Sequence, residues 1–414
     1  MSNFEVKVHK AIVSDIPGAD RIQACSPEGQ DYQCVIQKGY LATGDLFVYI
    51  PESAIVPDWL LFEMGLLGAL DGPQHNKVKA HKFRKTLSQG LAYVPPKAKE
   101  GVITSLVGLL SGNGYSDRVT RYWLRKATPE ALERGFVDDT EFPEYTVWRE
   151  GEDLAEYLGI TKYEPKVPSH FEGVWTPSPN HWAVPNGSIF QSYTEIENIK
   201  HEPNLLQEGE EVVMREKLHG TCFIAYYRPA AGEKPAVFMV TSKGIGKRGF
   251  ALLEEESNVY WQAARKWNIQ EGMASICGSS GFIELMVFGE IIGVQDLKYG
   301  LQDGQTALYL FDAKFNRPEG VQGWVADDIR LANLAAQLNV PMCPLLYQGP
   351  WSKEKGQELS GGKSRLPGAE AQIREGLVVA PVIGRTEARA GRVKLKIVHA
   401  DYLTRKDPNA TEFE

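Results

Sequence analysis

The chain has 414 residues, of which 43% are hydrophobic and 24% charged, and its formal net charge is −8. This length predicts two or three domains with a sizeable core, and the net charge excludes a protein that is basic all over. Five scattered cysteines, none in a CxxC pair, argue against a disulfide framework or a zinc ribbon. Because no apolar leader and no run of 18 apolar residues occurs, we expect a cytoplasmic protein without membrane spans.

The first part of the chain is rich in short β-like runs that Gly, Pro and Asp separate: FEVKVHKAIV, YQCVIQKGYL, DLFVYIP and GLAYVPP. This spacing predicts an OB-like β-barrel domain over residues 1–164. Within it, TPEALERG has an N-cap, an early proline and a final glycine, which predicts a helical insertion at about 100–148. Residues 77–100 hold seven Lys or Arg against one acid. This excess suits a nucleic-acid backbone, and the alternative is a solubilising loop.

Prolines interrupt residues 165–187, which we interpret as an interdomain linker. Residues 188–414 then mix strands and helices. The strand-like runs are VVMREKL, TCFIAYY, AVFMVTS, FIELMVFGEII, TALYLFDA, GLVVAPV and VKLKIV, and helical spacing occurs in ALLEEESNVYWQAARKW and ADDIRLANLAAQLN. The predicted fold class is therefore α+β, with the OB-like barrel followed by an antiparallel α+β domain.

A polar knot, EKLHG at 216–220, lies between two of these strands. An ordinary lysine is protonated at neutral pH and is a poor nucleophile, but neighbouring cations or burial favour the neutral form. Lys394 and Lys396 are two apart on a predicted strand, so they share a face. Together they could favour a neutral Lys217 and also hold a phosphate. The alternatives are a charged hairpin tip and a solvated strand face.

Four further segments carry side chains suited to binding a nucleotide. Lys243 lies in TSKGIGKRG, which we interpret as a glycine-rich basic loop whose backbone can approach phosphate. Glu290 lies in an apolar run and needs a partner, such as a ribose hydroxyl or a metal-bound water. Phe311 can stack on a purine, and Glu375 borders an apolar strand. Each has an ordinary alternative, namely a hairpin turn, a structural salt bridge or a place in the core.

In order, these segments resemble motifs I, Ia, III, IIIa, IV and V of the covalent nucleotidyltransferases, which include ATP-dependent DNA and RNA ligases and mRNA capping enzymes. The matching positions are Lys217-x-x-Gly220, Lys243, Glu290, Phe311-Asp312, Glu375 and Lys394-x-Lys396. Longer stretches are similar to the Deinococcus-type RNA ligases, namely YTEIENIKHEPNLLQEGEEVVMREKLHGT, GEIIGVQDLKYG, KFRKTLSQGLAYVP and EDLAEYLGITKYEP. The resemblance covers most of the chain apart from about 100–148, and it implies a ligase-type nucleotidyltransferase domain at 188–414.

This resemblance implies an ATP-dependent RNA ligase that seals 3′-hydroxyl and 5′-phosphate ends, as at nicks in a duplex. Lys217 would take AMP from ATP, and the AMP would pass to the 5′-phosphate before the ends are joined. The implied cofactors are ATP and Mg²⁺ or Mn²⁺, the implied partner is RNA or an RNA-containing nicked duplex, and a monomer is expected. The alternatives are a GTP-dependent capping-type enzyme and a catalytically inactive RNA-binding scaffold.

The resemblance also implies roles for single residues. The implied catalytic residues are Lys217, Glu375, Lys394 and Lys396. Contacts to the nucleotide are implied for Glu216, Lys217, His219, Gly220, Lys243, Glu290, Phe311, Lys394 and Lys396. The implied metal-binding residues are Glu290, Glu375 and His219.

Position 219 departs from the usual K-x-D-G pattern, because His219 stands where relatives have aspartate. A neutral histidine offers one acceptor nitrogen, whereas a carboxylate can accept several hydrogen bonds. We therefore expect His219 to accept one hydrogen bond from metal-bound water as a neutral imidazole. The alternative is that His219 packs behind the loop. Cys222 also departs from the family, where asparagine is frequent, and this bears on the ribose contacts.

Overall fold

The computed structural model describes residues 4–94, 150–163, 181–184, 188–325, 327–387 and 391–405. The chain divides into two compact units. The N-terminal unit comprises residues 3–165 and 200–203, and the C-terminal unit comprises residues 166–199 and 204–414. The predicted insertion at 100–148 lies outside the described residues, and only 181–184 of the predicted linker are described.

The described part of the N-terminal unit is built mainly from short strands. Its strands are β1 (Val8–Asp15), β2 (Ile22–Pro27), β3 (Cys34–Gln37), β4 (Leu46–Pro51), β5 (Ala54–Ile55), β6 (His81–Phe83), β7 (Thr86–Ser88), β8 (Gly90–Tyr93) and β9 (Thr161–Lys162). Its helices are α1 (Asp58–Glu63) and α2 (Ala155–Leu158). Five strands form an antiparallel sheet in the order β3-β2-β1-β4-β8.

The two edge strands of this sheet, β3 and β8, approach each other, so the sheet is nearly closed. The amide of Gln89, just before β8, donates to Gln33 O at 2.8 Å. The amide of Val35 on β3 donates to Ser88 Oγ at 3.0 Å. The result is a nearly closed, barrel-like sheet, and its assignment to the OB type stays a prediction.

Strand β4 shows why an apolar run becomes the central strand of this sheet. Successive side chains of a strand point to opposite faces. Phe47 and Tyr49 accordingly pack in one buried cluster, whereas Val48 and Ile50 pack in another that includes residues of α1 and α2. A strand that is buried on both faces is expected to lack alternating polar residues, as the run LFVYIP does.

The C-terminal unit contains most of the regular structure. Its described strands are β10 (His181–Ala183), β11 (Glu197–Asn198), β12 (Glu211–Lys217), β13 (Thr221–Arg228), β14 (Val237–Ser242), β15 (Phe250–Leu252), β16 (Glu284–Ile292), β17 (Ala307–Asn316), β18 (Gln322–Trp324), β19 (Leu345–Pro350), β20 (Gly376–Pro381), β21 (Thr386–Glu387), β22 (Gly391–Arg392) and β23 (Leu395–Val398). Its described helices are α3 (Lys243–Lys247), α4 (Val259–Lys266), α5 (Ile269–Ser280), α6 (Asp328–Gln337), α7 (Lys353–Ser360) and α8 (Ala400–Leu403).

Two sheets organise this unit. The seven-stranded sheet has the order β10-β15-β14-β13-β16-β17-β18 and is antiparallel throughout. The five-stranded sheet has the order β11-β23-β20-β12-β19, with one parallel pair between β11 and β23. The larger sheet packs one face against α4, α5 and α6 in the main core. The observed class is therefore α+β, as predicted.

Helix boundaries are where the sequence interpretation was partly wrong. The predicted helix over residues 251–267 begins only at Val259, because residues 250–252 instead form β15 and pair with β10 and β14. The helix α5 was not predicted. The segment around Lys243 forms the short helix α3, capped by Ser242, rather than an irregular loop. Within the described ranges, no helix has the length and apolar character needed to span a membrane.

Candidate active site

A cleft in the C-terminal unit gathers most of the residues that the motifs single out. Its walls are formed by Tyr193, Thr194, Glu195, Ile196, Val213, Arg215, Glu216, Lys217, Leu218, Cys222, Lys243, Glu290, Phe311, Val325, Asp327, Asp328, Leu331, Cys343, Val378, Ala380, Pro381, Arg392, Lys394 and Lys396. Strand β12 belongs to the five-stranded sheet and β13 to the seven-stranded sheet. The turn between these strands therefore crosses from one sheet to the other and carries Lys217 into the cleft.

The pleat of the five-stranded sheet explains which side chains face the cleft. Along β23 and the residue before it, Lys394 and Lys396 face the cleft, whereas Leu395 and Ile397 pack in the core on the other face. Strand β12 shows the same alternation, since Val213, Arg215 and Lys217 line the cleft and Val212 and Met214 are in the core. Because successive side chains of a strand point to opposite faces, β12 and β23 present their lysines to the cleft and bury apolar residues on the other face.

Lys217 is the last residue of β12, and its side chain is 25% exposed. Its ammonium Nζ is in hydrogen-bond contact with Glu375 Oε1, and the Glu375 side chain is only 2% exposed. Gly220 closes the turn where a larger residue does not fit, because a Cβ there would clash with the carbonyl oxygen of Ile291. The turn is therefore tight, and it presents the lysine at the end of a rigid strand.

His219 points away from the cleft wall into a buried group of polar side chains. Its Nε2 is 2.7 Å from Asp296 Oδ1, and its Nδ1 is 2.9 Å from the hydroxyl of Tyr402. Burial lowers the pKa of His219, against the opposing effects of Glu375 and Asp296. Both ring nitrogens are thus engaged within the protein, an arrangement that favours the alternative in which His219 packs behind the loop. Its role towards metal-bound water stays a prediction.

A second charged cluster centres on Asp312, which is completely buried. Its Oδ2 accepts hydrogen bonds from the Tyr193 hydroxyl at 2.8 Å, Arg392 Nη1 at 2.7 Å and Lys394 Nζ at 2.8 Å. Burial would raise the pKa of Asp312, but the nearby Lys394 and Arg392 outweigh this and lower it. Asp312 thereby anchors Lys394 beside the ring of Phe311, whose centroid lies 5.9 Å from the ammonium.

Glu195, on the cleft wall, forms ion pairs with two lysines of α3. Lys243 Nζ and Lys247 Nζ each lie 2.8 Å from one of its carboxylate oxygens. Burial would raise the pKa of Glu195, but Lys243 and Lys247 hold it down at about 2. This carboxylate therefore fixes the direction of Lys243, the lysine that the motif order predicts to contact the nucleotide.

Glu216 is a buried carboxylate on the cleft wall that is only half satisfied. Its Oε2 accepts a hydrogen bond from the amide of Arg365 at 2.7 Å and lies 3.7 Å from Arg374 Nε. Its Oε1 has no hydrogen-bond partner among the described residues, and burial raises the pKa of the group. Burying a carboxylate oxygen without a partner is costly for the ionised form, which agrees with the raised pKa of this fully buried side chain.

The cleft lies within a segment that matches a known protein family. A family model described as RNA ligase matches residues 210–398, which run from the lysine turn to the two lysines near β23. This segment is similar to the RNA ligase family. The match confirms the resemblance to RNA ligases of the covalent nucleotidyltransferase superfamily that the ordered motifs indicated.

Solved structures of Naegleria gruberi RNA ligase share the fold of this chain. The complex with PPi has a TM-score of 0.63 at 22% identity, covering 97% of this chain and 98% of that chain. A lysine-to-alanine mutant with ATP and Mn gives 0.63 at 22% identity, covering 96% and 98%. A lysine-to-methionine mutant with AMP and Mn gives 0.63 at 22% identity, covering 97% and 98%. No curated protein matches the chain significantly.

The structure of the segment that matches the family model brings most of the predicted site residues together. On the cleft wall are Glu216, Lys217, Lys243, Glu290, Phe311, Lys394 and Lys396. Glu375 lies directly behind Lys217 as its ion-pair partner. His219 and Gly220 belong to the turn but are not on the wall.

Other polar residues of this cleft have no role predicted from the sequence. Tyr193 and Arg392 share Asp312 with Lys394, and Glu195 orients Lys243. Tyr193 and Glu195 occur in the quoted stretch YTEIEN, but only the folded chain brings this stretch to the cleft. Arg215 also lines the cleft, and it forms a bidentate pair with Asp328 at 2.7 Å for both contacts.

A divalent cation needs several oxygen ligands, and the predicted protein ligands are Glu290, Glu375 and His219. Among the described residues, no group of three or more His, Cys, Asp or Glu side chains is arranged to hold a metal ion. Mg²⁺ commonly keeps several waters and is bound through one or two carboxylates together with substrate phosphates. Glu375 Oε2 is buried and has no hydrogen-bond partner among these residues. Glu375 and Glu290 therefore fit a site that needs the substrate for its completion.

Glu290 should make the unfolding of this protein pH-dependent. Burial raises its pKa to about 8, and Glu375 adds to the effect while Lys217 opposes it. A raised folded-state pKa means that the contribution of this group to stability is complete below its ordinary value of about 4.3 and is lost by pH 8. We expect thermal unfolding scans to show that wild type loses stability relative to Glu290→Gln between pH 5 and pH 8. Parallel curves for the two proteins would contradict this pKa.

Proposed function

We propose that this protein is an ATP-dependent RNA ligase that acts as a monomer and joins 3′-hydroxyl to 5′-phosphate ends through a lysyl-AMP intermediate. One observation carries the proposal: the ammonium of Lys217 lies at the end of a strand in a cleft that also presents Lys243, Lys394 and Lys396. A polyanion with a flat base fits these surroundings, because the cations can hold phosphates and Phe311 offers a ring for stacking.

The chemistry of the first step follows from the ion pair. As an ammonium, Lys217 has no lone pair, so it must lose a proton before it can attack. Its Nζ then forms a bond to the α-phosphorus of ATP, the bond from that phosphorus to the bridging oxygen of the β-phosphate breaks, and pyrophosphate leaves. Glu375, already in contact with Nζ, is placed to receive the proton.

The remaining cleft residues would bind and orient the nucleotide. Lys394 and Lys396 would hold the α-phosphate, and Lys243 would contact the nucleotide or the strand end. Glu290, kept partly neutral by its raised pKa, can hydrogen-bond to a ribose hydroxyl. Glu216 Oε1 can accept a hydrogen bond from a base. A bound Mg²⁺ or Mn²⁺ would favour the ionised form of Glu290, and Glu375 and Glu290 would then hold the ion while it neutralises phosphate charge.

A labelling experiment tests this proposal against its two alternatives. The protein is incubated with ATP or GTP labelled on the α-phosphate, together with Mg²⁺ or Mn²⁺, and is run on a denaturing gel. We expect a labelled band with ATP only. Labelling by GTP alone would indicate a capping-type enzyme. The absence of any adduct with either nucleotide would support a catalytically inactive RNA-binding scaffold.

For the N-terminal unit we propose a role in binding RNA, supported by the basic hairpin β6–β7. His81, Lys82, Phe83, Arg84 and Lys85 are all exposed, so the tip presents cations beside two aromatic rings. Bases stack on aromatic rings while cations track the phosphates of single strands. The two-residue turn has positive φ at both Arg84 (47°) and Lys85 (72°), where Asn-Gly is normally preferred. Two non-glycine residues at positive φ lower the stability of the fold, and such strained positions often occur at functional sites.

Replacing the turn by Asn-Gly should separate stability from RNA binding. We expect Arg84→Asn with Lys85→Gly to keep or raise the unfolding temperature, because the new residues suit positive φ. RNA binding, measured by fluorescence anisotropy with a single-stranded oligonucleotide, should weaken. If both cations contact phosphate, the salt slope should become shallower by about 1.4. The control Lys353→Gln with Lys355→Gln removes two charges from α7. An equal loss of binding in this control would argue against the hairpin.

A further inference from the structure

Behind Lys217, three distant segments of the chain meet around one imidazole. His219 comes from the turn after β12, Asp296 from the loop after β16, and Tyr402 with Arg405 from the segment that includes α8. The Asp296 and His219 side chains are 1% and 5% exposed, and Arg405 is 7% exposed. Burying so many polar groups costs free energy unless hydrogen bonds and ion pairs among them compensate for the lost hydration.

The hydrogen bonds define the proton positions on the ring of His219. The carboxylate of Asp296 can only accept, and Arg405 Nε donates to its Oδ2 at 3.0 Å. At 2.7 Å from Oδ1, Nε2 of His219 must therefore be the donor. The Nδ1 is left as the acceptor for the hydroxyl of Tyr402 at 2.9 Å. The ring is then the neutral Nε2–H tautomer.

The charges around the ring agree with a neutral imidazole. Asp296 is paired with Arg405, and Glu375 is paired with Lys217. Both carboxylates beside the ring therefore already have a cation as partner. His219 Nδ1 lies 3.8 Å from Glu375 Oε2, and this short distance links the buried group to the reactive pair.

We propose that Asp296 is a positioning residue for the nucleophile: it fixes the orientation and tautomer of His219 and thereby holds the turn that carries Lys217 against Glu375. Arg405 holds Asp296 in place, since it also donates to Tyr402 O at 2.8 Å and stacks on the Tyr402 ring at 3.9 Å. The segment at 400–405 is thus a support for the lysine turn. The catalytic part of this inference rests on the proposed ligase function.

The isosteric change Asp296→Asn tests the positioning role. Arg405 would still donate to the amide oxygen, so the amide NH₂ would face His219 Nε2, which would then have to accept. The tautomer should invert to Nδ1–H, with that proton directed at Tyr402 or Glu375. A wrong histidine tautomer behind a nucleophile can cost about 10²-fold or more in rate. We expect such a loss in single-turnover adenylylation at saturating ATP, with less than threefold change in the ATP concentration giving half-maximal rate.

Nitrogen-15 NMR of histidine-labelled protein reads the tautomer directly, with His219→Asn used to assign the signal. Wild type should show Nε2–H and Asp296→Asn should show Nδ1–H. The control Tyr402→Phe removes one hydroxyl but keeps Asp296, so it should retain the wild-type tautomer and lose less than tenfold in rate. If Asp296→Asn does not fold, the double variant Asp296→Asn with Arg405→Gln is used in its place, because it removes both charges of the ion pair.

Three outcomes would overturn the inference. The first is a wild-type His219 ring that carries the proton on Nδ1 or on both nitrogens. The second is an Asp296→Asn protein with the wild-type rate. The third is a slower Asp296→Asn protein that also needs a higher ATP concentration for half-maximal rate. Wild-type protein that forms no adduct would instead contradict the proposed function. The tautomer measurement would then decide the structural part by itself.

Discussion

Replacing Lys217 by alanine should abolish the covalent nucleotide adduct completely. The covalent step needs a nucleophilic nitrogen at the end of β12, and alanine has none. Two of the other cleft lysines cannot substitute readily, because Lys394 is held by Asp312 and Lys243 by Glu195. On a denaturing gel after incubation with labelled ATP, the Lys217→Ala lane should be empty at any exposure that shows the wild-type band.

The variant Lys217→Arg separates charge from nucleophilicity. A guanidinium keeps the positive charge and can still pair with Glu375, but it stays protonated and does not attack phosphorus. We expect this protein to bind ATP about as well as wild type in a filtration or calorimetric assay, yet to form no adduct. A labelled band of normal intensity in either variant would show that another residue carries the nucleotide and would refute the assignment of Lys217.

Much of the site could be predicted because its chemistry requires certain residue types in a fixed order. Lys217, Glu290, Phe311 and Lys394 were each ambiguous alone, since a lysine on a hairpin or a phenylalanine in a strand is common. Their sequence order resolved the ambiguity, and the structure places all four around one cleft. Strand pleating also allowed a correct local inference, because two lysines two apart had to share a face.

The surroundings of His219 could not be predicted in the same way. Its hydrogen-bond partners Asp296 and Tyr402 are 77 and 183 residues away along the chain. Nothing in their local sequence marks them as buried partners of an imidazole. The sequence therefore favoured a metal-related role for His219 by analogy with aspartate, whereas the folded geometry favours internal packing. An aspartate at this position would face Asp296 and Glu375, so we expect His219→Asp to be poorly tolerated.

Tertiary pairing also explains the error in the helix over residues 251–267. Its glutamates and apolar residues have helical spacing, but Phe250 and Leu252 are buried in the main core and pair as β15 with neighbouring strands. Propensity is a weak prior that such pairing overrides. The helix α4 begins where Asn258 caps it, with its side chain accepting hydrogen bonds from the amides of Tyr260 and Trp261.

The change Asp312→Asn should destabilise the C-terminal unit strongly. One buried oxygen of Asp312 accepts hydrogen bonds from Tyr193, Arg392 and Lys394. An amide of the same shape removes the negative charge and leaves two partly buried cations without a counter-ion. Breaking a buried ion pair costs about 3–5 kcal/mol of unfolding free energy. This corresponds to a thermal unfolding midpoint that is lower by roughly 6–20 °C in a unit of this size.

The pH dependence of this loss has a definite sign. Because the pKa of Asp312 is lowered in the folded protein, its contribution to stability is present above its ordinary value of about 3.9 and is lost as the pH falls below it. In thermal unfolding scans, the gap between wild type and Asp312→Asn should therefore be wide at pH 7 and should narrow in acid below pH 4. The exposed Asp303→Asn serves as the control and should leave the midpoint unchanged. A midpoint for Asp312→Asn within a degree of wild type at pH 7 would show that Lys394 and Arg392 do not depend on this carboxylate.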